Sequence, residues 1–207
     1  MRMFVLLCSV FTLAIPAFAQ RGESSWYLPT ELSDTNTHVR FELDSTWHLV
    51  KGATSHISGK VELTDPSDPT SVQVSISIPV KYFDTDSSSR DKELREVMFA
   101  ADHPFVKFEG AKLKNLCTPA KVLKDGSCID ILVGNLSIAK KTASVELPIT
   151  ISATKERDFV ISGKLPIAWA EYGVEDPSIF IARVDKIATV FFDLTLSGKT
   201  INEAPQG

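Results

Sequence analysis

Val72-Gln73-Val74-Ser75-Ile76-Ser77-Ile78-Pro79-Val80 places a β-branched aliphatic residue at every second position. Successive side chains of an extended chain point to opposite faces, so this spacing builds one apolar face and one polar face. A helix would scatter the same residues around its axis. The stretch therefore predicts a strand with one buried side.

The same period recurs on both sides of it. Val39, Phe41 and Leu43 alternate first, then Ile57, Gly59, Val61 and Leu63. Downstream, Val106 and Phe108 open a strand that runs to about Leu113. Ile129, Ile131 and Val133 start another, which continues through Leu136 and Ile138. Gly134 breaks the phase there, the mark of a bulge. Val145, Leu147, Ile149 and Ile151 follow, then Phe159, Ile161, Leu165 and Ile167. Val190, Phe192, Leu194 and Leu196 close the series. One helix interrupts it. Ser87 to Ser89 offer N-caps, Asp91 and Glu93 suit a helix N-terminus, and Leu94, Val97, Met98 and Ala101 form one apolar stripe before Pro104. Eight alternating strands and one helix predict an all-β fold. The expected form is an eight-stranded antiparallel lipocalin-like β-barrel with one short helix crossing near an opening. A barrel of that size encloses room for side chains or one slender ligand, and the alternation leaves open which of the two fills it.

The chain begins with Arg2, an apolar run from Phe4 to Ile15, Pro16, and Ala17-Phe18-Ala19. This is the pattern of a secretory signal cleaved after Ala19, and the run is shorter than the roughly 20 residues of a membrane span. The expected organisation is thus a signal peptide over 1–19 and one barrel domain over 20–207. Export places the mature protein in the periplasm or outside the cell. Removal of the signal takes Cys8 with it and leaves Cys117 and Cys128, an isolated pair that an oxidising compartment joins. A metal site at that pair lacks further ligands at the right spacing. The net charge of −4 comes without any basic cluster, which argues against nucleic acid. No later segment is long and apolar enough to cross a bilayer as a helix.

Several stretches together resemble one family. Phe41-Glu42-Leu43-Asp44-Ser45-Thr46-Trp47-His48-Leu49-Val50-Lys51-Gly52, then Ser58-Gly59-Lys60-Val61, is similar to a strand, a His-x-Val-x-Gly-like turn and a Gly-containing strand. Ile76 to Thr85 leads into Ser89-Arg90-Asp91 and Leu94, and His103-Pro104-Phe105-Val106-Lys107-Phe108 follows. Gly134-Asn135-Leu136-Ser137-Ile138, Tyr172-Gly173-Val174 and Asp185 to Val190 complete the series. In this order and over nearly the whole mature length, the chain resembles the YceI-like family of exported lipid-binding proteins. The departures fall near loops and barrel ends: Trp169-Ala170-Glu171, Ala139-Lys140, a shortened link before Pro104, and an added Cys117–Cys128 hairpin.

The resemblance implies a hydrophobic tunnel for a polyisoprenoid, an isoprenoid quinone or a fatty-acid derivative. It also leaves a homodimer as one arrangement open to the chain. Val74, Ile76, Ile78, Val106, Phe108, Leu147, Ile149, Phe192 and Leu194 lie on the apolar faces of strands that surround the ligand in that family. His48, beside Trp47 near a strand end, is a candidate for a headgroup contact. Trp169 and Tyr172 are candidates for the barrel mouth, although loop histidines are commonly solvated and large aromatics commonly just pack.

An enzyme would need a constellation, and the sequence supplies none. His38, His48, His56 and His103 include no helical zinc pair, and there is no Gly-x-Ser-x-Gly elbow or phosphate loop. Arg90-Asp91 reads as a helix-end arrangement rather than an acid–base pair. The expected function is therefore non-enzymatic, with no cofactor and no metal: sequestering or carrying a lipid-like amphiphile. The alternative is an envelope interaction protein whose filled barrel is only a scaffold. N-terminal sequencing of exported material should begin at Gln20, and recovery of chains that retain Met1 would refute the cleavage.

Overall fold

In the computed structural model the described residues are 30–54, 56–63, 68, 71–115, 117–156, 158–178 and 183–197. The expected signal segment 1–19 and the Gln20 terminus lie outside them. Ten strands are present among the described residues: β1 Thr30–Leu32, β2 Thr37–Ser45, β3 Leu49–Thr54, β4 Ser58–Leu63, β5 Val72–Pro79, β6 Phe105–Leu113, β7 Ser127–Ile138, β8 Lys141–Ala153, β9 Phe159–Ala168 and β10 Val184–Leu196. Two helices join them, α1 Ser88–Val97 and α2 Pro119–Asp125, with short 3-10 turns at Val80–Tyr82 and Trp169–Tyr172.

All strands belong to one sheet in the order β1-β4-β5-β6-β7-β8-β9-β10-β2-β3. Neighbours pair antiparallel, as hairpin connections require. The sheet curls so that inward residues of β2 and of β4 through β10 face one interior. It is a curled half-barrel rather than an uninterrupted cylinder, because its edge strands β1 and β3 do not ladder to each other. The seam is spanned both by chain connections and by hydrogen bonds. Residues 33–36 carry the chain from β1 to β2. Ala53 and Asp84 exchange two backbone hydrogen bonds of 2.9 Å.

All eight expected strands form, and two more appear. The stretch expected as a His-x-Val-x-Gly-like turn is strand β3, whose inward residues are Val50, Gly52 and Thr54. One aliphatic, one glycine and one threonine give too weak an apolar alternation to announce a strand. The expected hairpin loop between the cysteines contains helix α2. Thr118 caps it by accepting from the Lys121 amide at 3.2 Å, Pro119 occupies its first turn, and Gly126 ends it at φ 81°.

The phase of β7 also differs from expectation. Its inward positions are Cys128, Asp130, Leu132, Gly134, Leu136 and Ile138, so Ile129, Ile131 and Val133 face outward. Gly134 breaks nothing. The register shift lies on the partner strand, between Gly110 and Lys112 of β6.

Glycines let the curled strands approach closely. Gly59 of β4 stands opposite Ile76 of β5. A Cβ there would lie 2.0 Å from the Ser75 carbonyl oxygen, a backbone atom that cannot swing aside. Three inward phenylalanines use other glycines differently. Phe41, Phe108 and Phe192 lay their rings over Gly52, Gly134 and Gly163 of the adjacent strands, where a Cβ would come within 2.3, 2.7 and 2.5 Å of the ring tips. Gly59→Ala should cost at least the about 1–3 kcal/mol typical of overpacking. Equilibrium denaturation would measure it, and wild-type stability in the variant would contradict this backbone contact.

Candidate functional site

The inner faces of the sheet enclose a cavity of about 260 Å3, and every residue lining it is apolar. Val74, Ile76 and Ile78 of β5 line it. So do Val106 and Phe108 of β6, Leu147 and Ile149 of β8, and Phe192 and Leu194 of β10. Trp169 joins them. Its indole N–H donates to the Asp185 carbonyl at 2.8 Å, which turns the polar edge away and leaves hydrocarbon toward the void. Phe41 lines the cavity as well and meets Phe83 edge-to-face, with ring centroids 5.8 Å apart.

Tyr172 is buried in the same core but does not line the cavity. Burial first, and the Glu171 carboxylate second, hold its hydroxyl above the ordinary tyrosine value of 10.0 and hence neutral. His48 lies on the exposed β2–β3 turn, away from the lining, with Nε2 3.5 Å from Arg90 Nη1. Among the described residues, no group of three or more His, Cys, Asp or Glu side chains is arranged to hold a metal ion. No helix among them is long and apolar enough to cross a membrane.

The stripe of α1, expected as packing, also faces the cavity through Leu94, Val97 and Met98. The helix is fixed at both ends. At its start Asp91 accepts from the Thr85 amide at 2.9 Å and the Thr85 hydroxyl at 2.6 Å. Arg90 donates from Nε to the same hydroxyl at 3.0 Å and from Nη2 to the Thr85 carbonyl. Just past its last turn, Phe99 adopts φ 54°, a left-handed conformation unusual for a bulky residue. The Lys140 ammonium lies 3.1 Å from the centre of its ring. A segment after the Trp169–Tyr172 turn closes beside α1. The Glu175 amide donates to the Val97 carbonyl at 3.0 Å, and Val174 and Pro177 complete the apolar lining. Sequence reading missed these two, because neither belongs to a periodic element.

Asp176 anchors this segment to β10 through Lys186, 2.6 Å away. The Lys186 contact first, and the Ser178 hydrogen bonds next, lower the Asp176 carboxyl from 3.8 to about 2. An exposed pair of this kind is worth at most about 1 kcal/mol. Its role is to position the segment.

A domain model described as YceI-like matches residues 31–197. The crystal structure of Burkholderia cenocepacia BcnA superposes with a TM-score of 0.64 at 18% identity, covering 77% of this chain and 95% of that one. A domain from Saccharophagus degradans, described as polyisoprenoid-binding and implicated in plant cell wall breakdown, superposes with a TM-score of 0.62 at 10% identity. That match covers 83% of this chain and 98% of the other. At these identities the likeness is one of fold. No curated protein sequence matches the chain.

A carboxyl with a lowered pKa stabilises above its unfolded value and loses that contribution as pH falls through the folded one. The Asp176 contact is therefore complete above about pH 4 and fades toward pH 2. Asp176→Asn should speed amide hydrogen exchange at Glu175 near neutral pH while leaving exchange in β7 and β8 unchanged. Unaltered exchange at Glu175 would show that the ion pair does not hold the segment.

Proposed function

Since the chain belongs to the YceI-like family, we propose that it is an exported binding protein that holds the hydrocarbon chain of a lipid-like amphiphile inside the curled sheet. The observation that carries this reading is the wall of the cavity, which is apolar at every position. Each methylene transferred into such a space gains about 0.8 kcal/mol. A charged or strongly polar headgroup finds no partner there and stays at the surface, where it keeps its water. The ligand classes are a polyisoprenoid, an isoprenoid quinone or a fatty-acid derivative. The description of the Saccharophagus degradans domain as polyisoprenoid-binding supports the first. The volume, just below the roughly 300–1,000 Å3 usual for ligand pockets, favours one slender chain over a fused-ring molecule.

Residence in the periplasm or outside the cell is part of the proposal. It rests on the signal-like Phe4-to-Ala19 stretch and on a disulfide of the kind oxidising compartments maintain. The reading involves no chemical step: the residues supply shape and dryness. It stands against a filled scaffold because the interior contains a void.

Native mass spectrometry of the purified protein, with an apolar extract analysed in parallel, tests the reading. Wild type should carry a stoichiometric lipid. Ile76→Trp or Ile149→Trp should displace it at a stability cost of about 1–3 kcal/mol. Ser75→Trp, on the exposed face of β5, should leave occupancy unchanged. Full occupancy in well-folded Ile76→Trp and Ile149→Trp proteins would mean that the cavity is not the binding site.

A further inference from the structure

We infer that helix α2, stapled by the Cys117–Cys128 disulfide and by buried Asp130, is the closed floor of the cavity and sets the longest chain it accepts. The inference rests on the reading of the cavity as a chain-binding site and adds what limits the chain.

On β7 the cavity stops before the strand does. On β7 the inward residues Ile138, Leu136 and Leu132 line it, and with Leu132 the lining ends. Leu113 of β6, Ile151 of β8 and Leu196 of β10 also belong to the lining, near the ends of their strands. The next two inward positions of β7 are Asp130 and Cys128. Neither suits the wall of an apolar tunnel, and neither is left in one. Cys128 is bonded to Cys117. Asp130 is fully buried, and its carboxylate accepts from the amides of Lys114 at 3.0 Å, Asn115 at 2.8 Å and Cys117 at 3.0 Å.

Those bonds draw the chain after β6 across the end of the sheet. α2 then follows, with Val122 completely buried in the same core cluster as Leu113, Leu132 and Leu196. On this end β7 continues from Leu132 to Cys128, four residues or about 13 Å at the rise of a strand, while the lining of β8 reaches Ile151 opposite Cys128. That length of β7 carries the two groups that hold the plug, Cys128 and Asp130.

The plug is held by devices unlike those of the α1 end. One is covalent. The other is a buried carboxylate whose removal would strand several amide N–H groups away from water. A floor fixed in this way does not yield to a longer ligand. It cuts off the gain per methylene abruptly, so affinity should rise with chain length and then stop.

The test uses the full mature chain, oxidised and delipidated, offered an equimolar mixture of straight-chain fatty acids from laurate to docosanoate, with retained species read by native mass spectrometry. Val122→Ala and the Cys117→Ser/Cys128→Ser double variant lower or loosen the floor. Each should enrich docosanoate over palmitate at least tenfold relative to wild type, which corresponds to burying about two further methylenes. Leu132→Trp raises the floor and should shift retention the opposite way, so the inference stays testable if the double variant fails to fold. A common length profile in wild type, Val122→Ala and Leu132→Trp, with chains bound in all three, overturns the floor and leaves the binding reading intact. Retention of no chain by wild type overturns the binding reading itself, and the floor with it.

Discussion

Backbone amides and carbonyls around an apolar cavity find their partners chiefly on the neighbouring strand, because nearly every inner-face side chain is hydrocarbon and cannot serve them. The rest of the molecule follows from that constraint. It requires long antiparallel ladders, such as the twelve-residue β7 against the thirteen-residue β8. It requires a sheet curved enough for its inner face to meet itself. The curvature brings backbone so close that glycine alone fits at Gly59, and it opens the spaces over Gly52, Gly134 and Gly163 that phenylalanine rings fill. Polar side chains that remain buried are satisfied locally: among the described residues, no buried side-chain nitrogen or oxygen lacks a hydrogen-bond partner.

The two ends of the cavity are held by different chemistry. Around α1 the contacts are hydrogen bonds through Thr85, a lysine over Phe99 and the exposed Asp176–Lys186 pair. Each is individually weak, and water competes for the exposed ones. At α2 the contacts are a disulfide and an enclosed carboxylate. Local opening draws on the least stable contacts first. If a chain occupies the cavity as proposed, its exchange through the α1 end would break these individually weaker contacts and leave the disulfide and the Asp130 bonds in place.

Much of this was legible in the sequence because burial on one side of a strand writes a period of two into the residues. Eight strands could be read that way, the stripe of α1 from its helical spacing, and the cysteine pair from its isolation in the rest of the chain. Failures occurred where inward positions carry something other than a large apolar side chain. Strand β3 presents Val50, Gly52 and Thr54 inward, so its pattern is faint. On β7 the inward Cys128 is bonded to Cys117 and the inward Asp130 accepts backbone amides, while the outward Ile129, 70% exposed, is the more hydrophobic neighbour and points to the wrong face. Helix α2 was announced only by its termini, Thr118-Pro119 and Gly126, since seven residues cannot show a helical period. Val174 and Pro177 reach the cavity from an irregular segment, and nothing local in the sequence marks such residues.

A void lined wholly by hydrocarbon has a mechanical consequence. Water does not enter to fill it, and unfolding abolishes it, so the unfolded chain and its solvent occupy less volume than the empty folded protein. Hydrostatic pressure therefore works against the unoccupied state in particular. A chain lodged between Phe41, Phe108 and Phe192 would remove that lost volume and stiffen the protein, making compressibility a direct measure of whether the interior is occupied.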